Sequence, residues 1–167
     1  GFEVEEISAK QVDEVAVSST KIRNSLLEGN ISLANAYLGY SYMLSGIVVK
    51  GNQLGRTIGF PTANIEVSEN YKLIPKNGVY IVTAIVNTKT IFGMMNIGIK
   101  PTLGDNVPTI EVHLLDFSED IYGQEIQVNV IERLRDEQKF ESFESLKSQL
   151  EIDKINTIDY LNMGTRN

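Results

Sequence analysis

The feature that most limits what this chain can fold into is a change of hydrophobic period at Tyr42. Before residue 41 the spacing is helical: Ser18-Ser19-Thr20 offers N-cap hydroxyls, Ile22, Leu26 and Leu27 follow at helix spacing, and Gly29-Asn30 stops the run. A second short helix is predicted from Ser32 to Leu38, ending at Gly39, and Ile22, Leu26, Leu33 and Leu38 form an apolar face that can rest on whatever follows. From Tyr42 the chain reads as strands: Met43 to Val49, Thr62–Val67, Val79–Val86, Thr90–Ile97, Thr109–Asp116 and Glu125–Leu134. The last of these alternates, with Ile126, Val128 and Val130 on one face. Asn87-Thr88-Lys89 is short enough for a hairpin turn, and no helix of crossover length separates any later pair, so an antiparallel sheet is expected. Six short strands within about 95 residues predict an all-β, Greek-key-like antiparallel barrel, because closure removes exposed edges. A C-terminal helix carrying Phe143, Leu146 and Leu150 on one side follows it.

A length of 167 residues with 42% hydrophobic residues suits one core plus a tail. No stretch approaches the roughly 18 apolar residues of a membrane span, and Gly1-Phe2-Glu3-Val4-Glu5-Glu6 lacks the basic and apolar regions of a signal peptide. A soluble protein is expected. The absence of cysteine excludes disulfides, thiolate nucleophiles and cysteine zinc sites, and fits a cytoplasmic enzyme. His113 is the only histidine, so no histidine metal cluster can form within these residues. A net charge of −7 argues against non-specific nucleic-acid binding, which needs a surplus of Lys and Arg.

The densest chemical signal is Gly51-Asn52-Gln53-Leu54-Gly55-Arg56-Thr57-Ile58-Gly59-Phe60-Pro61-Thr62-Ala63-Asn64. Gly51, Gly55 and Gly59 would let backbone amides approach a polyphosphate, and Arg56 adds a planar, charged donor fork. A long hairpin loop is the alternative. A P-loop is excluded, since Gly51 and Gly55 enclose three residues, Arg56 stands where Lys is needed, and a strand follows instead of a helix. Thr62 and Asn64, two apart on a strand, offer neutral oxygen ligands of the kind magnesium accepts alongside phosphates, or else satisfy the local backbone after Pro61. Glu111 lies opposite Ile110, Val112 and Leu114, on the face of Thr109 and His113. It is either the solvated side of a half-buried strand or a base that accepts the proton of an attacking alcohol, and His113 ranks behind it.

Taken together, Gly55 to Asn64, then Asn96-Ile97-Gly98-Ile99-Lys100-Pro101-Thr102, then Glu111-Val112-His113-Leu114-Leu115-Asp116-Phe117 with Tyr122-Gly123, resemble the riboflavin kinase family in order and spacing. The resemblance runs from about Leu38 to Tyr160. It implies a six-stranded barrel that phosphorylates the 5′-hydroxyl of riboflavin with Mg-ATP, giving FMN and ADP. It further implies that Thr62 and Asn64 hold magnesium, Glu111 is the base, the Gly51–Gly59 loop covers the phosphates, Tyr122 contacts nucleotide, and Arg135 and Phe140 contact flavin. Small-molecule partners, no nucleic acid, no membrane and a monomer are the corresponding expectations. Upstream, Val17-Ser18-Ser19-Thr20-Lys21-Ile22-Arg23 is similar to the closing motif of the adenylyltransferase half of bifunctional riboflavin kinase/FAD synthetases. That half also needs a histidine-containing phosphate motif, and only His113 is present, so adenylyl transfer is expected to be absent. Residues 1–40 thus read as a helical remnant of an FMN adenylyltransferase domain, and 41–167 as the kinase barrel. Two other classes fit a small barrel: a flavin reductase, which needs no Mg-ATP loop, and a non-catalytic flavin- or nucleotide-binding module.

Overall fold

The computed structural model describes residues 9–51, 54–68, 72–99 and 108–164. Its elements are α1 (Ala9–Glu28), α2 (Ile31–Leu38), β1 (Tyr42–Val49), α3 (Leu54–Thr57), β2 (Ala63–Val67), β3 (Gly78–Val86), β4 (Lys89–Ile99), β5 (Pro108–Leu114), β6 (Glu125–Arg135) and α4 (Phe143–Gly164). The six strands close into an antiparallel barrel in the order β1-β2-β5-β4-β3-β6. Asn87 and Thr88 both take positive φ, 49° and 69°, which is the two-residue turn whose twist matches a hairpin, and Val86 pairs with Lys89 across it. Alternation fills the interior with Leu44, Val48, Tyr80, Met95, Ile97, Val112, Ile126 and Val128, all nearly inaccessible.

The helical tail belongs to this core. Leu26, Ile31 and Ala34 are buried in the same apolar cluster as the barrel interior. Asn35 fastens α2 to the sheet: its amide donates to the Val130 carbonyl at 2.9 Å and its oxygen accepts the Tyr42 N–H at 2.8 Å. Asn30 caps α2 by accepting from Leu33 N at 3.2 Å, and Gly39 ends it in the left-handed region at φ 81°. From the barrel side, Arg133 donates to the Asn77 carbonyl at 2.7 Å and lies flush against Gly29 and Gly78.

Four sequence expectations need correction. Ser18, Ser19 and Thr20 do not cap a helix, because α1 already runs from Ala9. Leu33 is exposed, and Ile31 takes the buried place assigned to it. The segment after Gly51 is not purely loop, since Leu54–Thr57 makes one helical turn. On α4, Phe143 is exposed and Leu146 and Leu150 are only half-buried; the fully buried positions are Asp153 and Thr157. The start of α4 is set by a reciprocal pair in which Ser145 N donates to Ser142 Oγ at 3.2 Å and Ser142 N donates to Ser145 Oγ at 3.3 Å.

Candidate active site

Strand register brings two of the sequence candidates, Asn64 and Glu111, together on the outer face of the barrel. Ile65, Ile110 and Ile97 pair in a row that points inward, so the adjacent row of Asn64 (β2), Glu111 (β5) and Asn96 (β4) points outward. With its amide turned so that both neighbours are satisfied, Asn64 joins three segments: its nitrogen donates to Glu111 Oε1 at 3.2 Å, and its oxygen accepts from the Gly51 N–H at 3.1 Å. Gly51 is required there for a steric reason, because a Cβ would collide with the Asn64 amide. A Cβ on Gly55 would likewise meet the Phe60 carbonyl, which is brought close by the turn in which Phe60 N donates to Gly55 O at 2.8 Å. Two of the three loop glycines therefore allow the loop to fold on itself, and Gly59 takes φ +85°. Asn52 and Gln53 lie outside the described residues.

Thr62 was expected on a strand with Asn64, but β2 begins at Ala63 and Thr62 stands at its threshold. It helps line a cavity of about 590 Å³, the ordinary size of a small-molecule pocket. The apolar floor includes Val48, Val112, Leu114 and Ile121, while the polar lining mixes Lys50, Arg56 and Tyr122 with Ser118 and the carboxylates of Glu119 and Asp120. Asn64, Glu111 and the three glycines lie outside this cavity's lining. The far wall is pinned to β1, since Gly123 N donates to Val48 O at 2.8 Å and Val48 N to Gln124 O at 2.9 Å. Lys50 went unnoticed in the sequence; its Nζ sits 5.3 Å from the Tyr122 ring centroid, and its only signal was a base at the end of an apolar strand.

His113 has a different task from the one first considered. Its Nδ1–H donates to the Pro61 carbonyl at 2.7 Å, and its ring packs 5.2 Å from that of Phe60. Burial holds its pKa below the ordinary value, opposed by the Pro61 hydrogen bond and aided by the positive charge of Lys154 on α4. The imidazole is thus a neutral anchor for the chain just before Thr62.

The remaining candidates stand on the opposite flank. Register runs from Glu111 to Asn96, Val79 and Arg135, so Arg135 is three strand spacings from Glu111, about 14 Å along the sheet. Arg135 does not stand open: its Nε and Nη2 grip Asp153 at 2.8–3.1 Å, and its guanidinium carbon lies 5.8 Å from the Phe140 ring centroid. Sequence reading had no signal for Asp153 as its partner. In the Asn96–Thr102 motif, β4 carries Asn96 to Ile99, and Lys100, Pro101 and Thr102 lie outside the described residues.

The fold is a closed small barrel with a cleft beside β1 and β5 and an outward row of oxygen-bearing side chains, and comparison with known proteins is specific about its family. The family model Flavokinase, described as riboflavin kinase, matches residues 38–161, and the chain belongs to the riboflavin kinase family. A "Bifunctional riboflavin kinase/FMN adenylyltransferase" of Bacillus subtilis is 44% identical over 147 residues, covering 86% of this chain and 46% of that protein. The chain spans about half the length of the curated relatives it matches. Among solved structures, riboflavin kinase from Trypanosoma brucei aligns with TM-score 0.50 and 26% identity over 72% of this chain and 79% of that one. A Streptococcus pneumoniae structure described as a macrolide-efflux protein aligns with TM-score 0.79 and 37% identity over 83% of this chain and 45% of that one.

Proposed function

We propose that this chain transfers the γ-phosphate of ATP to the 5′-hydroxyl of riboflavin, with Glu111 as the base. The observation that carries the reading is the Asn64 bridge, which gathers a loop amide, a neutral oxygen ligand and a carboxylate from three separate segments. In this scheme the Glu111 carboxylate accepts the hydroxyl proton as the riboflavin oxygen bonds to the γ-phosphorus. The bond from that phosphorus to the β–γ bridging oxygen breaks, and ADP leaves. The nucleotide occupies the cavity beside Arg56, Lys50 and Tyr122, and the Gly51–Gly59 loop, whose Arg56 reaches that lining, borders its phosphates. Flavin lies toward Arg135 and Phe140.

Thr62 and Asn64 fit a magnesium site by donor type: both present neutral oxygen, and Asn64 Oδ1 keeps a lone pair beyond the one given to Gly51 N. Magnesium bound there would neutralise charge on the transferring phosphoryl group. Residues 1–40 correspond in this reading to the FMN adenylyltransferase domain and linker of the bifunctional relatives, and the enzyme works in the cytoplasm as a monomer on small molecules.

The test of the base is Glu111→Gln, which keeps the shape and removes the basicity. The variant should lower kcat by about 10²–10⁴-fold while riboflavin and Mg-ADP still bind. A kcat near that of the wild type would return Glu111 to the solvated face of β5.

A further inference from the structure

Asp153 is the only fully buried charged residue among the described residues, at 2% exposure. A buried ion pair seldom adds stability over an apolar pair of the same volume, so its retention calls for a positional reason. The surroundings of Asp153 are fully organised. Arg135 Nε donates to both carboxylate oxygens at 3.0 and 3.1 Å, Nη2 donates at 2.8 Å, Gln149 Nε2 donates at 3.0 Å, and the buried Thr157 hydroxyl bonds the Asp153 carbonyl at 2.8 Å. The pair also bridges elements, since Arg135 ends β6 and Asp153 lies in the middle of α4.

The guanidinium has five N–H donors. Asp153 takes one from Nε and one from Nη2, and the Asp136 carbonyl takes one from Nη1 at 3.0 Å, which leaves two. One face of the group lies toward the Phe140 ring. Asp153 therefore fixes both the plane of the guanidinium and the direction of its two unused donors, which a free arginine would spread over many rotamers.

We propose that Asp153 is a positioning residue for flavin recognition: it locks the Arg135 fork against Phe140 so that the remaining donors meet the polar edge of the flavin ring. This rests on the riboflavin kinase reading above. Asp153→Asn should raise KM for riboflavin about tenfold, the cost of weakening a charge-assisted contact, while KM for ATP and kcat stay within about threefold. Because Asp153 acts through Arg135, adding Asp153→Asn to Arg135→Ala should change KM for riboflavin by less than about twofold. If Asp153→Asn does not fold, Gln149→Ala loosens the same carboxylate from a half-buried position and should raise KM for riboflavin about two- to threefold. Three results would overturn the proposal: an unchanged KM for riboflavin, equal rises in both KM values, or a full additive effect in the Arg135→Ala background. Riboflavin binding, followed by quenching of its fluorescence, separates this inference from the kinase reading. Wild-type binding that depends on Asp153 without turnover would uphold the positioning role and sink the kinase. Turnover with no dependence on Asp153 would do the reverse.

Discussion

The two flanks of the barrel solve the problem of holding a side chain in different ways. Around the β1–β2 cleft, position comes from backbone: Gly51 and Gly55 are bare so that Asn64 and the Phe60 carbonyl can close in, and His113 anchors Pro61 with one hydrogen bond. At the β6–α4 junction, position comes from a buried ion pair whose carboxylate also accepts from Gln149, while Thr157 bonds the Asp153 main-chain carbonyl. The first arrangement leaves a cleft with exposed Lys50 and Arg56. The second leaves one oriented arginine. A loop-built site can adjust to a flexible polyphosphate, whereas a rigid fork suits a flat ring system.

The largest effect expected lies in neither flank. Removing residues 1–36 deletes Leu26 and Ile31 from the core and the Asn35 bonds to Val130 and Tyr42. Two such side chains are worth about 1.5–3 kcal/mol each, so unfolding should become easier by about 3–6 kcal/mol. Both flanks remain beyond the cut, and kcat/KM for riboflavin, measured well below the lowered Tm, should stay within a few-fold. A tenfold fall in the folded protein would make the helices part of the working site.

The contrast between flanks sharpens with Thr62→Ala and Asn64→Ala. Each removes one oxygen from the cleft side, so each should raise the magnesium needed for half-maximal rate and weaken ATP binding by about tenfold, the usual scale for a group supporting a metal site. KM for riboflavin should hardly move, because the Arg135–Asp153 pair is untouched. Magnesium curves that superimpose on the wild type would make both residues structural.

How much of this was legible in sequence differs in the same way. The cleft could be read because its parts are local: Gly51 to Asn64 is one run, and the alternation of Ile110, Val112 and Leu114 already put Glu111 and His113 on the opposite face. The junction could not. Arg135 and Asp153 are 18 residues apart on different elements, and a carboxylate in a helix reads as solvated until its partner is seen. Apolar spacing then pointed to Phe143, Leu146 and Leu150, though α4 buries a charge and a hydroxyl instead. The early start of α1 was hidden for a related reason: serine reads as a cap, yet within a helix it can bond back, as Ser25 Oγ does to the Lys21 carbonyl at 2.7 Å.

The smallest effect concerns His113, which touches the cleft loop and feels Lys154 from α4. Its native pKa is lowered from 6.5 by burial, so the unfolded chain takes up a proton first as pH falls. Its contribution to stability is therefore full above that value and is lost as pH drops through it toward the lower native pKa. Denaturant midpoints at neutral and mildly acidic pH should converge for His113→Gln relative to the wild type. An equal acid-induced loss in both proteins would assign it to other groups.

The most direct measurement is product analysis after incubation of the chain with riboflavin, ATP and magnesium, with the flavins separated by chromatography. FMN should accumulate and FAD should not, because the cleft, the Asn64–Glu111 pair and the oriented Arg135 are present while the histidine-containing phosphate motif of an adenylyltransferase is missing from these residues. Riboflavin recovered unchanged would contradict the phosphotransferase account, and FAD formed at a comparable rate would contradict its restriction to a single step.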